Sequence, residues 1–151
     1  MGRRLGARLI DGLLLSVVVS VIGAVLFGAA ATQVETDPVT GEVTGGVGAL
    51  IGAYVGYILL AVAVGLLYEV GLIALRGATI GKQVLGIRVL RETDGALPGW
   101  GPSFVRWLIP LLGSLVCGIG QIVVYLSPFF DSTQRYQGWH DKAAKTLVVQ
   151  V

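Results

Sequence analysis

Charge is scarce in this chain: 13% of its 151 residues are Asp, Glu, Lys or Arg, where a soluble domain carries about 25%. A polar outer shell around the whole fold is therefore excluded. Excess positive charge is lacking too. The formal net charge is only +2, and the basic residues sit beside hydrophobic runs instead of forming a patch of their own, so no nucleic-acid footprint exists. Cysteine occurs once, at Cys117, and histidine once, at His140. One cysteine excludes an intramolecular disulfide and a multi-cysteine metal site, and one histidine leaves His-based metal sites and an ordinary Ser-His-Asp constellation with little support. Cys117 lies inside an apolar run and reads as a small buried hydrophobe.

What the chain has in abundance is apolar sequence. Hydrophobic residues make up 54% and the mean hydropathy is +0.81, which marks a membrane protein whose first partner is the lipid bilayer. Leu9 to Ala31 contains one charge, Asp11, and at about 1.5 Å per residue it is long enough to cross a hydrocarbon core of about 30 Å. Arg3 and Arg4 ahead of this run resemble a signal-peptide start. The run is longer than a signal core and holds an acid, so a retained helix is expected. Residues 32–46 are acidic, turn-rich and free of Lys and Arg, as in a short loop. Val47 to Leu75 forms a second apolar run with Glu69 as its only charge, and its length implies a tilted span.

Residues 76–102 change character. Arg76, Lys82, Arg88 and Arg91 bracket VLGIRVL, whose alternation predicts a short strand or an interfacial segment. A third hydrophobic run, 104–130, is interrupted by Pro110, Gly113, Gly118, Gly120 and Pro128, and the polar tail, 131–151, closes on the strand-like LVVQV. By the positive-inside rule the N-terminus and residues 76–102 are cytoplasmic and the 32–46 loop is outside. A single crossing of 104–130 puts Arg135, Lys142 and Lys145 outside, against that rule. A re-entrant hairpin returns the tail to the cytoplasm and lets 146–151 pair with 84–90. Both readings of the third segment, hairpin or span, stand. The expected fold class is an all-α membrane protein: two full transmembrane helices, 9–31 and 47–75, a broken third segment, and a small cytoplasmic β pairing, all in one domain, 1–151.

Two ridges of small residues recur at four-residue spacing: Gly12, Ser16, Ser20, Ala24 and Gly28 on the first helix, and Gly48, Gly52 and Gly56 on the second. Such ridges let backbones approach in lipid, where hydrophobic burial no longer drives association. They are expected to form the crossing of the two helices or, used differently, a homo-oligomer contact. Trp100, Trp107, Trp139, Tyr125 and Tyr136 read as interfacial anchors more readily than as a ligand cage.

The few charges inside apolar runs are the candidate site. Asp11 lies roughly 4.5 Å along the axis from Arg8, and Glu69 roughly 10 Å from Arg76, so both acids fall in the cytoplasmic half of antiparallel helices. Arg8 and Asp11, three residues apart, are positioned to pair, and the helix N-terminus favours the carboxylate. Glu69 has only apolar neighbours in sequence and calls for Arg8, for Arg106, or for protonation. It is the best candidate for a proton or cation carrier, against a purely structural ion pair. GATIGKQ lacks the glycine spacing and the Ser or Thr after Lys82 of a phosphate-binding loop.

Arg8 with Asp11 at the head of the first helix, GATIGKQVLGIRV after the second, and QGWHDKAAKTLVV near the end together resemble the RDD family of small bacterial membrane proteins, named for one arginine and two aspartates. The resemblance covers nearly the whole chain. It maps the arginine to Arg8, the first aspartate to Asp11 and the second to Asp141, with Gly81-Lys82 and Gly86 matching another recurrent stretch. Where many members carry a second acid or a leucine, this chain has Gly12. The resemblance implies a multi-pass protein of the bacterial cytoplasmic membrane, with transport suggested and no substrate supplied. His140 and Asp141 are expected to cap or pin the tail near the Arg8–Asp11 end. No enzymatic activity and no cofactor are expected, since no nucleophile–base pair or metal set is present. Two function classes remain: an oligomeric ion or small-solute transport element, proton- or cation-linked, and an accessory or scaffold subunit of a larger membrane complex.

Overall fold

A computed structural model describes residues 2–115, 118–131 and 137–151. The readings made above for Cys117, Arg135 and Tyr136 lie outside the described residues. The chain divides into two compact units: the residues before Leu13 together with Leu66–Val151, and Leu13–Gly65.

Two helices among the described residues are long and apolar enough to cross a membrane, Gly2–Ala31 and Val47–Arg76. The first is α1 (Gly2–Ala31), which starts earlier than the apolar run and takes in Arg3, Arg4 and Arg8. The second begins as α2 (Val47–Leu66), passes through a π-helical turn at Leu67–Gly71 and ends as α3 (Leu72–Arg76). Two-residue and three-residue strands, β1 (Glu35–Thr36) and β2 (Val43–Gly45), pair antiparallel in the connecting loop.

Within Leu13–Gly65 the helix contact does not follow the small-residue ridges. Gly23 is buried, and a Cβ there would come 3.1 Å from the Tyr57 ring; Phe27 stacks tilted on Tyr57 at 5.9 Å. Ala30 and Ala53 are buried nearby in sequence. By contrast Gly12, Ser16, Ser20, Ala24, Gly28, Gly48 and Gly52 are exposed and Gly56 half-buried. A Cβ at Gly12, Gly28, Gly48, Gly52 or Gly56 would meet nothing within 4 Å. The reason is helical phase. Each four-residue step advances about 40° around a helix, so a ridge from Gly12 to Gly28 winds through about 160°, whereas the seven-residue step from Gly23 to Ala30 drifts by about 20°.

In the other unit, α4 (Ile80–Val84) follows α3, and β3 (Ile87–Arg91) pairs antiparallel with β4 (Thr146–Gln150), Val89 opposite Val148. The pairing expected of 84–90 with 146–151 is thus present, shifted a few residues along the first strand. The third hydrophobic run is two helices, α5 (Trp100–Ser114) and α6 (Ile119–Leu126), packed on each other. Their backbones approach at Gly113 and Gly120, where a Cβ on Gly120 would lie 2.5 Å from the Gly113 carbonyl oxygen. A 3-10 turn (Ser127–Phe130) and α7 (Trp139–Ala143) complete the unit.

Candidate functional site

The charged residues singled out in the sequence are brought together in the unit formed by the first turns of α1 and Leu66–Val151. Arg106 is 1% exposed and Asp141 0%; Asp11, Glu69 and Lys82 are buried as well. Three local devices assemble them. The π-helical turn holds Tyr68 and Glu69 in succession, an insertion of the kind that recurs at functional positions. On α5, Ser103, Arg106 and Pro110 are the buried residues, a spacing of three and four that defines one helix face. Finally, Gly81 lets α4 lie directly on α1: a Cβ there would collide with the Ala7 carbonyl oxygen and sit 2.8 Å from Asp11 Oδ1.

The pairing differs from the local one expected. Arg8 forms its ion pair with Glu69, Nη1 to Oε1 at 2.5 Å, and not with Asp11. Lys82 Nζ stands 3.9 Å from the same Glu69 oxygen. Asp11 is instead satisfied by three neutral donors: Tyr68 Oη at 2.6 Å, Thr79 Oγ1 at 2.6 Å and the Gly81 backbone N–H at 2.8 Å. Lys82 Nζ donates to Thr79 Oγ1 at 3.3 Å, so a chain of donors runs from the lysine through the threonine to the aspartate, each bond polarising the next.

The second knot centres on Asp141. Its Oδ1 pairs with Arg106 Nη1, and its Oδ2 with Arg4 at 3.1 Å. The same carboxylate accepts the Gly138 N–H at 3.1 Å, capping α7. Arg106 also donates to Thr146 Oγ1 at 2.7 Å, tying β4 to α5. Asp141 thus ties the tail to Arg4 and Arg106, and His140 packs edge-on against Tyr125. Burial would raise the Asp141 carboxyl, but Arg106 and Arg4 outweigh it and hold the group at about 2. Burial pushes the His140 imidazole down to about 3, Asp141 opposing and Arg106 adding to the shift. His140 is neutral at physiological pH, and its 3.4 Å contact with Asp141 is not an ion pair. Burial likewise pushes the Lys82 ammonium from its ordinary 10.5 to about 7; Arg8 and Arg106 add to this, Glu69 and Asp11 oppose it.

Tyr125 is part of this site and not an outward anchor: Arg8 lies over its ring at 4.6 Å, and His140 meets it edge-on at 6.1 Å between ring centres. Trp100 and Trp139 are exposed, as anchors are. A cavity of about 40 Å³ is lined by Arg4, Arg8, Lys82, Arg106, His140 and Asp141 among others. It has room for a few water-sized particles.

Arg8, Asp11, Glu69, Arg106 and Asp141 were legible as charges embedded in, or adjoining, apolar sequence. Arg4, Tyr68, Thr79, Lys82 and Thr146 were not assigned to the cluster. For Lys82 the signal was present, a lone cation between Ala78, Ile80 and Val84. For Tyr68 and Thr79 no charge marked them.

Comparison with known proteins adds a family and distant relatives. The RDD family profile matches residues 1–145. A protein called proline-rich antigen homolog from Mycobacterium tuberculosis is 35% identical over 75 residues, 50% of this chain and 29% of its own length. The proline-rich antigen of Mycobacterium leprae is 33% identical over 75 residues, 50% of this chain and 28% of its own. The matched stretch thus spans less than a third of these relatives. No solved structure matches the chain.

Proposed function

From the premise that this chain belongs to the RDD family, we propose that it is a multi-pass protein of the bacterial cytoplasmic membrane serving as an oligomeric, proton- or cation-linked transport element. The observation that carries this reading is the Arg8–Glu69–Lys82 group, with Glu69 and Lys82 buried, beside a cavity that charged side chains and apolar ones line together. Ionisable groups at membrane depth are costly and are kept where they serve a pathway. Lys82, held near neutrality, is the group in it that gains and loses a proton in the physiological range, with Glu69 as its fixed counter-charge. Oligomers are required because two long helices and a short hairpin enclose little pathway. The basic residues before α1 and after α3, against none in 32–46, favour a cytoplasmic N-terminus. The β3–β4 pairing needs both strands on one side of the membrane, which favours re-entry of α5 and α6 over a single crossing.

Reconstitution into liposomes tests the reading. Glu69→Gln should abolish a proton-coupled cation flux that the parent protein supports; an undiminished flux removes Glu69 from the pathway.

A second reading, an accessory or scaffold subunit of a larger membrane complex, is favoured by the unpacked small-residue faces, where Gly28, Gly48, Gly52 and Gly56 have open space before them. Purification in mild detergent would then bring down a stoichiometric partner, and a chain that travels alone or only with itself removes this reading.

A further inference from the structure

The cavity in the charged unit is short of negative charge. Among the described residues four cationic side chains, Arg4, Arg8, Lys82 and Arg106, line it, and the carboxylates within ion-pair reach of them number two. Glu69 is shared by Arg8 and Lys82, and Asp141 by Arg4 and Arg106. The third acid, Asp11, gives its oxygens to Tyr68, Thr79 and Gly81 and offsets Lys82 only from a distance, which leaves four cations against three carboxylates when Lys82 is protonated. Uncompensated buried charge is expensive, and proteins relieve it with a counter-charge or a proton shift.

Two further observations point to a ligand in the same place. Arg106 Nε is fully buried with no hydrogen-bond partner, and its side chain lines the cavity; the size of the cavity is the other. An orphaned guanidinium N–H beside empty space is a donor awaiting an acceptor. The space itself, about 40 Å³, is about three times what one water needs. It suits a single small ion and not a tetrahedral oxyanion with its hydration. The rest of the wall includes Leu5, Ile87 and Val148, which offer no hydrogen bonds, so an occupant must shed water on that side.

We propose that this cavity binds one small, weakly hydrated monovalent inorganic anion of the chloride and bromide class, held by Arg106, Arg8 and Lys82. The ion completes the neutralisation that Glu69 and Asp141 leave unfinished. This goes beyond the transport reading and does not depend on it: a resident anion is detectable at equilibrium with no gradient and no flux.

The test uses the purified full chain in lipid nanodiscs at pH 6, where Lys82 is protonated, and at constant ionic strength, with sodium gluconate replaced stepwise by sodium bromide or chloride. Thermal unfolding, followed by tryptophan fluorescence, should show a saturable rise in Tm with either halide and none with gluconate, which is too large for the cavity. Lys82→Met should raise the half-saturating bromide concentration about tenfold or more, while Lys82→Arg keeps the parent value. Because Arg106 substitutions also break the Asp141 knot, crystals grown in bromide provide the independent readout. Anomalous scattering inside the cavity supports the site. A cavity holding only water, a phospholipid phosphate in place of bromide, or a halide response unchanged in Lys82→Met each overturns the proposal.

Discussion

The two units of this protein are cohesive for opposite reasons. Leu13–Gly65 holds its helices through a glycine against a tyrosine ring and one aromatic pair, and its strand pairing lies in the connecting loop. The other unit gathers Arg4, Arg8, Asp11, Glu69, Lys82, Arg106 and Asp141 and knots them with Tyr68, Thr79 and Thr146. In lipid, where apolar surface gains little by touching apolar surface, dispersion and close approach carry the first kind of contact. Charge pairing carries the second, and it is strong only while every member is present. Substitutions in the two units should therefore differ in size.

The largest effect should come from Asp141→Ala, which removes the carboxylate shared by Arg4 and Arg106 and uncaps α7. A loss of about 3–5 kcal/mol is expected, read as a shift in the unfolding midpoint in mixed micelles. A loss no larger than that of the helix-pair variants below breaks the comparison.

Next is a pH effect belonging to the charged unit alone. Lys82 sits at about 7 in the folded protein against 10.5 ordinarily. Between those values the unfolded chain binds a proton that the folded one does not, so stability rises as pH increases through that window and levels off above it. Lys82→Met should remove this rise. Should unfolding midpoints of parent and variant run parallel across the window, Lys82 is not the group responsible. His140, held at about 3, adds a rise in the same direction at lower pH, between about 3 and its ordinary 6.5.

Gly81→Ala should cost about 1–3 kcal/mol, because the added methyl drives α4 off the Ala7 carbonyl and lengthens the Gly81 bond to Asp11. The same change at Gly52, which faces open space, should stay within about 0.5 kcal/mol. Between these falls Tyr57→Leu, at about 1 kcal/mol for the lost ring pair with Phe27. Equal costs for Gly81→Ala and Gly52→Ala would show that the glycine on α4 has no special place.

The difference between the units also explains what was legible in the sequence. Long apolar runs fix two helices, and the alternation in GIRVL and LVVQV announces strands that do pair. A carboxylate in an apolar run stands out, so Asp11 and Glu69 were visible. Their partners were not, because an ion pair between Arg8 and Glu69 depends on a tertiary meeting that local spacing does not encode, and the three-residue neighbour Asp11 was the nearer choice on one helix. Neutral donors such as Tyr68 and Thr79 carry no mark in a composition of this kind. The small-residue ridges do not form the crossing of the two helices for a geometric reason: four-residue spacing is conspicuous in text but winds around the helix over several turns, while the Gly23–Ala30 interval stays near one face.

The Arg4–Asp141 pair joins positions near opposite ends of the described chain. Translation delivers the arginine early and its aspartate more than a hundred residues later, so the most buried knot of the molecule has very high contact order and cannot close while the nascent chain is still short. Until Asp141 leaves the ribosome, Arg4 and Arg106 lack their shared counter-ion.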